Sequence, residues 1–313
     1  MTPKFDRRTW LAVAGTTTVA ASRSFAKADD EPFVFCFNTS TISGHTLKVP
    51  LVEEFQIVSR AGYRAIEPWV REIDGYVKAG GSLKDLRKRA GDLGLTIVDA
   101  IGFVEWIVDD EARRRKGLEE AKRVMGMIQE LDCPHLAAPP VGATDTADLN
   151  LQRASERYAA LLELGQTMGV TPMVEHWGHS KCVSRLGDAV RVAMESGHPK
   201  ACVLPDVFHM YKSGSDFQGM KLLGKAAFPI LHVNDYPEVN ERAKIRDDQR
   251  VYPGDGVAPL GQLFASLRAM GWRGFVSLEL FNKDYYKRDP SEVATTGLAK
   301  MKAASWRHRS RND

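Results

Sequence analysis

Cysteine is scarce in this chain of 313 residues: there are four, Cys36, Cys133, Cys182 and Cys202, and no C-x-x-C pair among them. That excludes a thiolate-rich metal cluster or a dithiol redox motif and leaves the cysteines as small core hydrophobes. Charge of one sign is also lacking. The formal net charge is +3, and much of the excess sits at the ends, in Arg7 and Arg8 and in Arg307, Arg309 and Arg311. Such tails are solvated and give no basic face for nucleic acid. Long apolar runs are missing too. The small-residue run from Trp10 to Ala21 covers 12 positions, short of the roughly 20 that span a bilayer, so no stable membrane insertion is expected. No G-x-G-x-x-G follows the first strand-like run, where "NTSTISGHT" stands instead, and this argues against an open doubly wound nucleotide-binding sheet.

The first residues carry a sorting pattern rather than a fold. Arg7-Arg8 precede the apolar run, and Ser24-Phe25-Ala26 suits cleavage after Ala26. The pattern over 1–26 resembles a twin-arginine export signal, a route that carries folded proteins. It implies a periplasmic or otherwise extracytoplasmic protein.

From Phe33 to Trp306 short apolar runs alternate with longer amphipathic ones. Eight pairs can be counted, the strand-like runs lying near Phe33–Asn38, Ala65–Pro68, Thr96–Ile101, Leu136–Ala138, Thr171–Glu175, Ala201–Asp206, Ile230–Asn234 and Phe275–Leu280. The matching helix-like stretches include Leu83–Leu93, Gln218–Ala226 and Ser291–Trp306, and glycines such as Gly62 and Gly169 punctuate their ends. Alternation of this kind argues a parallel sheet. Eight units with no internal linker fit one closed (β/α)8 barrel over 33–306, followed by a basic tail at 307–313.

In such a barrel chemistry gathers at the C-terminal ends of the strands. Strands five to eight each deliver one metal-competent group there: Glu175, Asp206, His232 and Glu279. A single acid at a strand end is ordinarily a helix cap or half of an ion pair. Four such groups on consecutive strands converge on one point in the barrel mouth. The set is mostly hard oxygen, which favours Mn2+ first, then Mg2+ or Co2+, over a thiolate-type zinc site. Trp69, Trp106 and Trp177 fall just past strands two, three and five, and are expected to wall the apolar face of a sugar or to pack under the loops. Glu67 is expected either to meet substrate hydroxyls or to form a structural ion pair. The long connection at 235–258 has the length of a binding element. One of its cations, with Arg242 placed first ahead of Lys244, Arg246 and Arg250, is expected to reach the substrate. His45 and Lys212 are weaker candidates in top-face loops. His176 follows Glu175 and so points to the other side of its strand.

The segments "VEHWG", "LPDVFHMYKSGSD", "LHVNDYP" and "SLELF" give the chain a specific resemblance. It resembles the xylose isomerase-like barrel superfamily of sugar isomerases and epimerases over nearly all of its length after residue 26. The resemblance implies one divalent metal on Glu175, Asp206, His232 and Glu279. It implies proton transfer by Glu175 and Glu279 from opposite faces of a keto-sugar, through an enediolate. His209, in the Asp-x-x-His pair with Asp206, then contacts the substrate rather than the metal. Homo-oligomers are common among such relatives. Within the superfamily an inosose dehydratase-like lyase would use the same groups to expel water. A DNA-repair endonuclease would need further histidines where Glu67 and Glu105 stand. A barrel that binds sugar without turning it over would not need the four-ligand set.

Overall fold

The computed structural model describes residues 32–43 and 49–306. The expected export signal at 1–26, His45 and the tail at 307–313 lie outside them. Eight strands follow in order: β1 Phe33–Asn38, β2 Ala65–Glu67, β3 Thr96–Ile97, β4 His135–Ala138, β5 Thr171–Glu175, β6 Val203–Leu204, β7 Ile230–Val233 and β8 Gly274–Leu278. All their pairings are parallel, in the orders β3-β2-β1-β8-β7 and β4-β5-β6. Two single parallel bridges, Ala100 to Leu136 and Asp206 to His232, join the two sets and close a (β/α)8 barrel.

Around it lie α1 Ser40–Ser43, α2 Leu51–Ala61, α3 Val70–Lys78, α4 Leu83–Asp92, α5 Glu111–Gln129, α6 Leu151–Met168, α7 Leu186–Glu195, α8 Val207–Ser213, α9 Leu260–Ala269 and α10 Pro290–Trp306. Their ends follow local chemistry. Asp110 and Asn150 accept backbone N–H groups at the starts of α5 and α6. Gly62 and Gly169 close α2 and α6 at φ of 98° and 71°, a region that favours glycine. The helix expected over Gln218–Ala226 is displaced. The chain enters α8 directly after β6 because the Asp206 carboxylate accepts the His209 N–H and starts a helix at Val207. Only a 3-10 turn, Phe217–Leu222, remains downstream. Among the described residues no helix is long and apolar enough to cross a membrane.

Strand alternation sorts side chains into two cores. Cys36, Ala65, Met173, Leu204 and Ile230 fill the lumen, while Phe37, Ile66, Val174, Leu231, Val233, Val276 and Leu278 pack outward in the larger cluster against the helices. With a side-chain period of two, Met173 inward and Val174 outward put Glu175 inward. Ile230 inward and Leu231 outward put His232 inward, and Val276 and Leu278 outward put Glu279 inward. All four cysteines are buried and unpaired.

Candidate metal centre and substrate cavity

The alternation that builds the core also lifts its last inward residues to the barrel mouth. Glu175, His232 and Glu279 each offer one ligand atom there, all within 4.8 Å of one another, and all three residues are buried. The His232 Nδ1 is the focus. It lies 3.3 Å from a Glu279 oxygen, 3.8 Å from Asp206 Oδ2 and 3.9 Å from a Glu175 oxygen, and among the described residues it makes no hydrogen bond of regular geometry although fully buried. A buried imidazole nitrogen facing three carboxylates without a bonded proton acceptor is the donor geometry of a divalent cation site. These residues fit such an ion. Sequence reasoning brought all four groups together, and the structure sets Asp206 at the rim of the cluster.

Beneath the cluster, Glu67 fixes the imidazole. Its carboxylate lies 3.0 Å from His232 Nε2 and accepts from Ser277 Oγ at 2.8 Å and Asn38 Nδ2 at 2.7 Å. Burial alone would raise Glu67, but His232 and Ser277 hold it below the usual carboxylate range. The neighbouring Asp99, which the sequence did not single out, is pushed well up by burial and by the charge of Glu67, so it favours its protonated form. Glu67 therefore serves His232 from inside the lumen. Of the two roles expected for it, the structural pairing holds and the substrate contact does not, because the residue is fully buried below the cavity floor. Asn38 spends its second amide proton on Glu279 at 3.3 Å, while its Oδ1 accepts the Trp69 indole N–H at 2.8 Å.

A residue from the long 235–258 connection completes the floor, and it is Arg250 rather than Arg242. The Arg250 guanidinium, 1% exposed, donates to Asp206 Oδ2 at 2.8 Å, Glu279 Oε2 at 2.9 Å and Asp247 Oδ1 at 2.6 Å. It lies over the Phe208 ring at 4.5 Å. Burial would raise the Asp206 carboxyl, but the guanidinium, His209 and His232 carry it well below the usual range. Arg242 is exposed, on a 3-10 turn that packs toward Gly214, so the expectation that it reaches the substrate is corrected. Nothing in the charge pattern separates the two arginines. What does is Asp235, whose carboxylate accepts the N–H groups of Tyr236, Gly254 and Ala258 and folds the segment back over the mouth. Lys212 donates to the carbonyls of Ala243 and Ile245 and so fastens the same segment.

A cavity of about 290 Å³ opens above these groups, lined by Glu175, Glu279, Arg250, His209, Trp69 and Trp177 among others. His209 faces it with an imidazole that burial pushes down to about 3, so it meets a ligand in neutral form. Its Nε2 is 3.3 Å from Arg250, and among the described residues its Nδ1 has no hydrogen-bond partner. His176 stands behind the strand, its Nε2 accepting the Asp206 N–H at 3.4 Å, and burial holds it down to about 4. Of the two roles expected for Trp106, the packing one holds and the substrate contact does not. It is fully buried, its indole N–H donates to Ala138 O and Pro139 O, and it packs on Tyr158 at 5.8 Å. It supports β4 and does not wall the cavity. Phe103, His179, Phe281 and Tyr286 do line it. Phe103 sits in "GFVEW" beside the Trp106 that sequence reasoning preferred, in a segment that lacks regular strand structure.

The profile of the family described as "Xylose isomerase-like TIM barrel" matches residues 55–304. The chain belongs to this family. Among curated relatives, inosose isomerase of Halalkalibacterium halodurans is 26% identical over 270 residues, 83% of this chain and 92% of that protein. The 3-dehydroshikimate dehydratase of Pseudomonas aeruginosa is 25% identical over 273 residues, 83% of this chain and 41% of that longer protein. Among solved structures, that of the IolI protein with a bound zinc atom superposes with a TM-score of 0.81 at 21% identity, covering 89% of this chain and all of that one. The chain is thus similar to an inosose isomerase and to a dehydratase, and its Glu175, His232 and Glu279 cluster could hold a divalent metal.

Proposed function

We propose that the protein is a metal-dependent isomerase or epimerase of keto-sugars, working by proton transfer between carbon atoms of the substrate. The observation that carries this reading is the cluster itself. Two carboxylates, Glu175 and Glu279, reach the cavity floor from strands on either side of His232 and lie within 4.8 Å of it. A divalent ion held by Glu175, Asp206, His232 and Glu279 supplies a Lewis acid that polarises a carbonyl and acidifies the adjacent C–H. Mn2+ suits the mostly carboxylate set best, with Mg2+, Co2+ and Zn2+ as the other candidates.

The chain's own groups then divide the work. Glu279 is anchored by Arg250 and Asn38, whereas among the described residues the Glu175 carboxylate accepts no side-chain hydrogen bond shorter than its 3.9 Å approach to His232. Glu175 is therefore the group better placed to take a proton from carbon, and Glu279, once it has gained a proton from solvent, the one to deliver a proton back to the substrate. Neutral His209 meets the substrate oxygens as charge develops, while the Arg250 guanidinium keeps Asp206 and Glu279 in place beneath them, an arrangement that acts most strongly in a water-poor site. The inosose isomerase relationship supports isomerisation. The dehydratase relationship supports a second outcome of the same proton abstraction, expulsion of a β-hydroxyl as water. Export by a twin-arginine signal at 1–26 belongs to the same proposal and makes the substrate an extracytoplasmic sugar.

Solvent-deuterium incorporation, followed by NMR over a panel of keto-sugars and inososes, tests the reading and separates exchange from water loss. Positioned acid–base groups contribute about 10²–10⁴-fold. Glu175→Gln and Glu279→Gln should each lower exchange by that much in metal-loaded protein. Wild-type exchange in both variants would overturn the proposal.

A further inference from the structure

The upper wall of the cavity carries more aromatic surface than a small free sugar requires. Phe281, Trp69, Phe103 and Trp177 follow one another around the rim, with ring centroids 5.9, 5.3 and 5.6 Å apart and interplanar angles of 85°, 88° and 83°. Each ring meets the next edge to face, so the four form a continuous chain of aromatic contacts. Within it Phe103 remains 49% exposed. A large apolar side chain left in water at the edge of a binding cavity marks a contact surface for a ligand. Aromatic faces of this kind suit another ring with one apolar side.

The same lining carries several acids. Glu175, Asp247, Asp248 and Glu279 line the cavity against only Arg250 and Lys283. Both cations are already committed, Arg250 to Asp206, Asp247 and Glu279, and Lys283 to Asp248 at 3.1 Å. Among the lining residues a phosphate or carboxylate on the substrate would find no cation without a carboxylate partner, whereas hydroxyl groups can donate to the carboxylates.

From this we infer that the natural substrate is a neutral sugar carrying a second ring, a glycoside rather than a free or phosphorylated monosaccharide, with that ring seated on the side chains of Trp69, Phe103 and Trp177. The inference rests on the sugar-handling reading above and adds the substrate class. Binding without turnover tests it separately from the chemistry. Phenyl β-D-glucopyranoside, glucose and glucose 6-phosphate are titrated into the full metal-loaded protein by calorimetry, with tryptophan fluorescence as a second readout. The phenyl glucoside should bind at least tenfold more tightly than glucose, about 1.4 kcal/mol, and glucose 6-phosphate no more tightly than glucose. Phe103→Ala, at a half-exposed position that leaves the core intact, should remove at least fivefold of the preference. A preference below threefold, a preference that survives Phe103→Ala, or tightest binding of the 6-phosphate would each overturn the inference. A Phe103-dependent preference together with undiminished deuterium exchange in the two glutamate variants would retire the proposed chemistry and keep the subsite. The opposite pair of results would do the reverse.

Discussion

At the scale of single residues, Glu67 shows how burial converts a generic acid into a specific part. It is charged, fully buried and bonded on both oxygens, with Ser277 and Asn38 on one and His232 on the other. By accepting from Nε2 it fixes the tautomer that leaves Nδ1 turned toward Glu175, Asp206 and Glu279. Glu67→Gln keeps the shape but replaces a carboxylate with an amide. Loss of such a supporting partner typically costs about 10–100-fold in metal affinity. Titration of Mn2+ into the variant should show a weakening in that range with little change in fold by circular dichroism. Unchanged affinity would mean that Glu67 is only a lumen ion pair. The four metal-competent groups were legible in the sequence because each ends an apolar strand and strand parity decides its side. Glu67's partner was not legible, since its pairing spans 165 positions of sequence. Which of its two expected roles Trp106 takes was not legible for a similar reason: position after a strand does not say whether the chain turns toward the axis or toward the helices.

At the scale of elements, the segment after β7 decides how much of the site exists. Arg250 reaches Asp206 and Glu279 only because 235–258 doubles back, with Asp235 and Val251 pairing antiparallel through two backbone hydrogen bonds of 2.9 and 2.8 Å. The Asp235 carboxylate, 1% exposed, takes three backbone N–H groups from the two ends of the loop. Gly256 permits the closure, since a Cβ there would run into Tyr236 O and the Asp235 carboxylate. Removing a buried acceptor costs about 1–3 kcal/mol for each group left unpaired. Asp235→Ala should therefore destabilise the protein by at least 2 kcal/mol, as a rough floor, in urea unfolding. Because Arg250 is carried on this loop, substrate KM should rise more than kcat falls. A variant with wild-type KM would show that the loop holds Arg250 by other means. The length of this connection, that of a binding element, was visible in the sequence. Which cation it delivers depended on the hairpin-like return, which leaves no periodic trace.

At the scale of the whole molecule, the barrel has two seams where the β3-β2-β1-β8-β7 and β4-β5-β6 sets meet, each held by a single bridge. One of them is Asp206 to His232, inside the candidate metal centre. Glu175 stands on one side of that seam, and His232 and Glu279 stand on the other, so an ion held by all three would tie the two sets together. Burial and the neighbouring acids Glu279 and Asp206 push Glu175 well up against the opposing pull of His232, so its ionised form costs stability at neutral pH. A ligand at 100 times its Kd adds about 2.7 kcal/mol to stability. At roughly 2–4 °C per kcal/mol for a domain of this size, saturating Mn2+ should raise Tm by about 5–10 °C, and a chelator should reverse the rise. Glu175→Gln removes one acid from the crowd, so its metal-free Tm should equal or exceed that of the wild type, while its response to Mn2+ should fall to less than half. Hydrogen exchange locates the effect. The His232 amide, bonded to Pro205 O across the seam at 2.9 Å, should gain more protection on metal binding than the Cys36 and Ala65 amides of the continuous sheet. Equal protection throughout would show that the ion stabilises the fold as a whole without joining its two halves.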